Sequence, residues 1–118
     1  MNAKQHYFTF VLLAGAIVRG LAQPTIIKQP ANQTASLFVD AAFSLLVNGD
    51  PPLSYQWRFN NADLLGSANQ TLTITKVQRI NAGNYSVVVS NPSGSATSQV
   101  ATLTITPFNA LYAFGELP

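Results

Sequence analysis

Residues 51–85 read PPLSYQWRFNNADLLGSANQTLTITKVQRINAGNY, and this stretch decides the fold class. Large apolar side chains recur in it at every second position: Tyr55, Trp57 and Phe59, then Leu72 and Ile74. A period of two places alternate side chains on opposite faces of a β-strand. The stretch therefore predicts two strands, each with one row of side chains facing a core and one facing water.

The same period recurs on both sides of this stretch. The apolar positions are Phe43, Leu45 and Val47; Tyr85, Val87 and Val89; and Ala101, Leu103 and Ile105. Residues 25–28 and 34–39 predict two earlier strands, and a short weak strand is expected over residues 63–65. Segments rich in Asn, Gly and Pro separate these runs at residues 48–52, 60–61, 81–84 and 91–94, as in turns.

No stretch keeps an apolar period of 3.6 residues for three turns, so no long amphipathic helix is predicted. About seven or eight short antiparallel strands in roughly 85 residues are typical of a β-sandwich or a small barrel. The predicted fold class is therefore all-β.

Three segments of residues 51–85 carry a resemblance to a known family: PPLSYQW, TLTITKVQ and NAGNY. Together they resemble the immunoglobulin-like I-set domain over residues 24–105, in the cysteine-less form of large secreted bacterial proteins. The resemblance implies an antiparallel sandwich with Trp57 as its core tryptophan. It also implies that Tyr85 forms a tyrosine corner, whose hydroxyl bonds to nearby backbone. The structural core that it implies is Leu45, Trp57, Leu72, Ile74, Tyr85 and Val87, with Val77 beside them.

The sequence departs from that family at three places. Leu45 and Val87 stand where disulfide-bonded members have the cysteines that join the two sheets, and the chain has no cysteine at all. Asn81 replaces the usual aspartate, and Asp40 replaces a common glycine. Side-chain packing alone must therefore hold the two sheets together, without a disulfide. The lack of cysteine also excludes thiolate catalysis and cysteine zinc sites.

The first 22 residues have the order of a secretory signal peptide. Residues 1–6 are polar and carry Lys4, residues 7–18 are apolar and uncharged, and Gly20-Leu21-Ala22 offers a small-x-small cleavage site. The apolar run is shorter than the roughly 20 residues that span a bilayer. A buried N-terminal helix is the alternative. We expect a signal peptide over residues 1–22, a secreted or cell-surface product, and no membrane span after cleavage.

The charge of the mature chain gives no support for nucleic-acid binding. The whole sequence has 6 Lys+Arg against 4 Asp+Glu, a net charge of +2. Two of the basic residues, Lys4 and Arg19, leave with the signal peptide. The mature chain then has four basic and four acidic residues, and its net charge is zero. Without a basic patch, phosphates are not neutralised.

The mature chain lacks the usual groups for catalysis. The only histidine of the full sequence, His6, lies in the expected signal peptide, and without His or Cys the commonest general base, nucleophile and metal ligand are missing. Asp40, Asp50, Asp63 and Glu116 fall in separate loops and in the tail. A glycosidase needs two carboxyl groups about 5–10 Å apart. We therefore expect no enzyme activity, no catalytic residue, no metal site and no cofactor.

Some apolar side chains have two interpretations. Tyr55, Trp57 and Phe59 form a carbohydrate-stacking platform if they face solvent, but their shared parity with the core favours packing. Leu46 and Val88 lie on the polar parity of their strands. They mark either a sheet face that contacts a neighbouring domain or scattered surface apolar residues.

The C-terminal tail, residues 107–118, reads PFNALYAFGELP and stays apolar after the last strand. Residues 110–115 resemble the opening strand of GDSL-type esterases, which ends in Phe-Gly-Asp-Ser. Glu116 and Leu117 stand at the aspartate and at the nucleophilic serine, so no nucleophile is present. The tail is either an ordinary linker or C-terminal strand, or the start of a further, hydrolase-like domain.

The sequence thus predicts an immunoglobulin-like domain over residues 23–106 that serves adhesion, ligand binding or domain spacing outside the cell. Its expected partners are a protein or carbohydrate ligand, or neighbouring domains. The alternative is an accessory domain of a secreted hydrolase whose catalytic part is missing from this chain. Fold alone does not decide between them.

Overall fold

The computed structural model describes residues 10–13, 16–19 and 22–107, with side chains for residues 22–107. The strands are β1 (Phe10–Leu13), β2 (Ala16–Arg19), β3 (Thr25–Lys28), β4 (Gln33–Ser36), β5 (Ala41–Ser44), β6 (Leu46–Asn48), β7 (Ser54–Phe59), β8 (Ala62–Asp63), β9 (Thr71–Ile74), β10 (Gly83–Asn91), β11 (Gly94–Thr97) and β12 (Ala101–Thr106). One 3₁₀ helix, Arg79–Asn81, precedes β10. The predicted all-β sandwich is confirmed for these residues.

The larger sheet has the order β4-β12-β10-β7-β8, with β11 also paired to β10. Its pairings are antiparallel except one: β4 runs parallel to β12, with Leu103 opposite Gln33 and Thr106 opposite Ser36. The second layer consists of two antiparallel ladders, β3 with β6 and β5 with β9.

The strand expected over residues 43–47 is broken at Leu45. Before the break β5 pairs with β9, and after it β6 pairs with β3, so the chain changes its partner strand there. The side-chain amide of Gln70 donates to the Leu45 carbonyl at 2.7 Å. A side chain therefore satisfies a backbone acceptor at the point where the ladder is interrupted.

The last strand is also divided, into β11 and β12, but both of these segments pair with β10. Between the two segments, the Ser98 amide donates to the Val87 carbonyl at 2.9 Å, and the Val87 amide donates to the Ser98 hydroxyl oxygen at 3.0 Å. These two breaks are the reason that the described part of the sandwich has more strand segments than the seven or eight expected.

Two strands have bounds that differ from those predicted from the sequence, because a turn lies next to each of them. The strand expected over residues 34–39 ends at Ser36, because residues 36–39 form a turn in which the Val39 amide donates to the Ser36 carbonyl at 3.1 Å. The weak strand expected over residues 63–65 is instead Ala62–Asp63. It follows a two-residue turn whose members, Asn60 and Asn61, have φ of 49° and 71°, as in a type I′ hairpin.

Among residues 22–107, twelve apolar side chains form the buried core: Ala35, Ala41, Phe43, Leu45, Trp57, Leu72, Val77, Tyr85, Val87, Val89, Ala101 and Leu103. Ile74, which the resemblance also assigned to the core, is only partly buried and packs against it. Phe43 lies at the centre of the aromatic part. Its ring centroid is 4.8 Å from that of Tyr85 and 6.2 Å from that of Trp57.

The N-terminal residues 10–13 and 16–19 pair as an antiparallel hairpin. The signal peptide expected over residues 1–22 stays a prediction. Within the described ranges, the structure contains no helix that is long and apolar enough to cross a membrane.

Candidate interaction surface

The aromatic row of β7 does not form an exposed platform. Trp57 is completely buried, and its indole N–H donates to the Asn69 carbonyl at 2.8 Å. Tyr55 and Phe59 are partly buried and pack against the same core. These three side chains therefore hold the two layers together, and a stacking site for a sugar ring needs another surface.

Tyr85 closes the turn before its own strand. Its hydroxyl donates to the Asn81 carbonyl at 2.6 Å, the contact that the resemblance implies. Burial raises the pKa of the Tyr85 phenol above its ordinary value. The Asn81 side chain accepts a hydrogen bond from the Gln78 amide at 2.7 Å. A neutral amide thus shapes this turn where the family usually has a carboxylate.

The two positions of the missing disulfide are both buried. Leu45 is 2% exposed and Val87 is 0% exposed. The backbone groups of these two residues are bonded by the side chains of Gln70 and Ser98. The sequence did not reveal the roles of Gln70 and Ser98, because each reads as an ordinary polar residue next to a strand.

Each aspartate has a separate structural partner. Asp40 accepts from the Lys76 amide at 2.8 Å, and Asp63 pairs with Arg58 at 2.9 Å. Asp40 precedes β5 while Asp50 follows β6, at opposite ends of the broken strand. Among residues 22–107, no group of three or more His, Cys, Asp or Glu side chains could hold a metal ion.

His6 and Glu116, and the residues 110–115 that resemble an esterase strand, lie outside the described residues. The prediction that the chain has no catalytic residue stays a prediction.

At one end of the sandwich, which we call the N-terminal pole, side chains form hydrogen bonds with the backbone where the chain enters the domain. The Ala22 amide donates to the Asp50 carboxylate at 2.9 Å, and the Asp50 amide donates to the Ala22 carbonyl at 3.1 Å. The Asn91 side-chain amide donates to the carbonyls of both Ala22 and Asp50, at 2.7 and 3.0 Å. Three distant parts of the chain are thereby joined where it enters the domain.

Gly94 belongs to the same pole. A Cβ atom at this position would lie 2.5 Å from the side-chain oxygen of Gln23. The turn before β11 therefore approaches the entering chain closely, and a larger residue at this position would displace the flexible end of the Gln23 side chain.

The opposite end, the C-terminal pole, carries an open apolar groove of about 270 Å³. We call it the C-terminal groove; its lining residues are Leu37, Phe38, Gln78, Arg79 and Ile80. Ile80 is 79% exposed and Phe38 is 56% exposed. Val39, next to the groove in sequence, is also exposed. Large apolar side chains open to solvent at one place are typical of a contact surface.

Within residues 22–107, other large apolar side chains are also exposed. They are Ile27, Leu46, Leu65 and Val100. Leu46 is half exposed and Val88 is only partly buried, so both lie on the outer side of their strands as their parity predicts. None of these residues lines the C-terminal groove.

Two packed layers, a buried tryptophan and a tyrosine corner define the chain as an immunoglobulin-like β-sandwich. Residues 23–91 match the immunoglobulin domain family, and the chain belongs to that family.

Known proteins with similar segments are large. The chain is 36% identical over 92 residues to human Roundabout homolog 3, covering 72% of this chain and 7% of that protein. It is 30% identical over 86 residues to Endoglucanase C of Cellulomonas fimi, covering 70% of this chain and 8% of that protein. The chain thus spans less than a tenth of the length of these curated relatives.

Solved structures give the same fold. A three-domain segment of titin superimposes with a TM-score of 0.67 at 25% identity, covering 75% of this chain and 34% of that chain. The tandem immunoglobulin repeats of Dlar superimpose with a TM-score of 0.68 at 19% identity, covering 74% and 50%.

Proposed function

We propose that this chain is a non-catalytic, extracellular immunoglobulin-like module that binds a partner or spaces neighbouring domains. The observation that carries the proposal is that the chain enters the sandwich at one pole and leaves it at the other. The chain enters at the N-terminal pole, where Asp50 and Asn91 hold Ala22. It leaves β12 at the opposite pole, where the Leu37 amide donates to the Thr106 carbonyl at 3.1 Å. A domain with this geometry fits into a linear array.

The separate positions of the aspartate carboxylates support the non-catalytic part of this proposal. Asp40, Asp50 and Asp63 each accept a hydrogen bond from a different partner in a different part of the fold. General acid–base catalysis needs such groups to converge on one reacting bond. Export is supported by the signal-peptide pattern of residues 1–22.

The first experiment follows the whole chain through expression. We expect the protein in the culture medium, with a mass that shows loss of about the first 22 residues. The recovered protein is then assayed on p-nitrophenyl acetate and on a soluble glucan, with heat-unfolded protein as control. We expect no turnover above that control. Retention of an uncleaved chain in the cytoplasm would contradict the extracellular assignment, and turnover by the folded protein alone would contradict the non-catalytic one.

A second experiment separates binding from spacing. The recovered protein is applied to a glycan array and to an array of extracellular proteins, again beside heat-unfolded protein. A signal that requires the folded domain supports a binding module. A blank result on both arrays, with the domain folded, supports the spacer.

A second candidate function is an accessory domain of a hydrolase. The similarity to Endoglucanase C favours it, since that protein carries a similar segment within a much longer chain. Reading the coding sequence downstream of residue 118 tests it: we expect a hydrolase-like frame there. If no frame downstream encodes one, this candidate is wrong, and the first proposal is unaffected.

A further inference from the structure

Ala22 is bonded as a residue of the folded domain, although it comes before the first strand of the sandwich. Its amide donates to the Asp50 carboxylate at 2.9 Å, and its carbonyl accepts from the Asp50 amide at 3.1 Å and from the Asn91 side chain at 2.7 Å. These partners are 28 and 69 residues away along the chain. Both backbone groups of Ala22 are therefore satisfied by the sandwich itself, as those of a strand residue are.

The partners of Ala22 are also held by contacts that do not involve Ala22. The Asn91 side-chain amide donates to the Asp50 carbonyl at 3.0 Å, and its oxygen accepts from the Gly94 amide at 3.2 Å. Pro24 is buried, and a Cβ atom at Gly49 would lie 3.0 Å from the Pro24 Cα atom. The N-terminal pole is thus shaped to receive the chain from Ala22 onward.

This contact bears on where the expected signal peptide is removed. Signal peptidase reads small residues at the first and third positions before the cut. Gly20 and Ala22 favour a cut after Ala22, which removes that residue from the mature chain. Val18 and Gly20, both short and uncharged, offer a second cut after Gly20, which keeps it. A cut between these two would place the large side chain of Leu21 directly before it and is unsuitable.

We propose that signal peptidase cuts after Gly20, so that the mature chain begins with Leu21 and keeps the bonds of Ala22 to Asp50 and Asn91. Water is added across the Gly20–Leu21 peptide bond, which leaves a carboxylate on Gly20 and an amino group on Leu21. A cut after Ala22 would instead remove all three hydrogen bonds from the pole. The inference rests on the proposed function, because it requires that the chain is exported.

The mass and the N-terminal sequence of the exported protein test the proposal, with the whole chain expressed from Met1. We expect residues 1–20 to be missing. Ala22→Leu places a large residue directly before the alternative cut but keeps the backbone groups that bind Asp50 and Asn91, and the Ala22 side chain is exposed. We expect this variant to begin at Leu21 as well.

Val18→Phe is the opposite variant, because it places a large apolar residue three positions before the proposed cut and five before the alternative one. We expect about tenfold less protein that begins at Leu21, with the cut moved to follow Ala22. The matched control is Ile17→Phe, one residue earlier, which should leave the N-terminus unchanged.

The two products also measure what Ala22 contributes. We expect the chain that begins at Gln23 to unfold at a lower urea concentration than the chain that begins at Leu21, because it lacks the three hydrogen bonds. Equal midpoints overturn the inference, as does an unaltered exported protein that begins at Gln23, and both results leave export standing. Retention of the uncleaved chain in the cytoplasm contradicts the proposed function and this inference together.

Discussion

Replacing Trp57 by alanine tests the central claim about the core. Trp57 is 0% exposed, its ring lies 6.2 Å from that of Phe43, and its indole N–H donates to the Asn69 carbonyl at 2.8 Å. Alanine removes the ring and leaves a cavity between the layers, a change that costs about 3–5 kcal/mol in other cores. About 1 kcal/mol of that loss is the hydrogen bond. Trp57→Phe keeps an aromatic ring, so we expect it to lose only about 1–2 kcal/mol.

The assay is urea unfolding followed by far-ultraviolet circular dichroism. Fluorescence is unsuitable because Trp57 is the only tryptophan and both variants remove it. Since small domains have roughly 5–15 kcal/mol of stability in total, the alanine variant is expected to lose a large part of it. Leu65→Ala, at a residue that is 97% exposed, is the control and should stay within about 0.5 kcal/mol of the unaltered protein. A Trp57→Ala variant that unfolds within about 1 kcal/mol of the unaltered chain would show that Trp57 does not support the core.

The double variant Leu45→Cys with Val87→Cys should form a disulfide on export, adding up to about 4 kcal/mol by closing a loop of about 40 residues; free thiols by mass spectrometry in folded protein would show that the two side chains do not face each other. Because burial raises the pKa of Tyr85, its stabilising effect is complete below about pH 10 and is lost as the pH rises through the folded-state pKa. Alkaline melting curves of Tyr85→Phe should therefore depend less on pH than those of the unaltered chain, and equal dependence contradicts this. Asp63→Asn should change the free energy of unfolding by less than about 1 kcal/mol, because its partner Arg58 and Asp63 itself are 40% and 59% exposed, and a larger loss in urea unfolding would show that the pair matters more.

The inward side chains could be predicted from the sequence because a period of two fixes their side of the strand. Trp57, Leu72 and Tyr85 are all buried for this reason. The break at Leu45 could not be predicted in the same way. It depends on which partner strand each half meets and on Gln70, 25 residues further along the chain. A local pattern contains no information about either.

The two poles also contain contacts that could not be predicted from the local sequence. The Asn- and Gly-rich segments at residues 60–61 and 91–94 contain turns, as predicted, but the sequence did not show that Asn91 would hold Ala22, 69 residues earlier. Leu37 and Phe38 read as the end of a strand because they are apolar. The structure instead turns the chain at Ser36, since the Val39 amide bonds back to it and Phe38 bonds to Val77. Local apolar character was outweighed by contacts with a distant segment.

The parallel pairing of β4 with β12 determines how the domain responds to a pulling force. The chain enters at one pole and leaves at the other, so tension first loads the contacts of Ala22 and the ladder of β3 with β6, and then pulls β4 and β12 in opposite directions along their common axis. Their ladder runs from Gln33 opposite Leu103 to Ser36 opposite Thr106. Because the load is parallel to the strands, these hydrogen bonds share it at the same time, whereas a hairpin pulled from its open end loses them one after another. The segment from β4 to β12 is thus arranged to resist extension until the hydrogen bonds of this ladder break together.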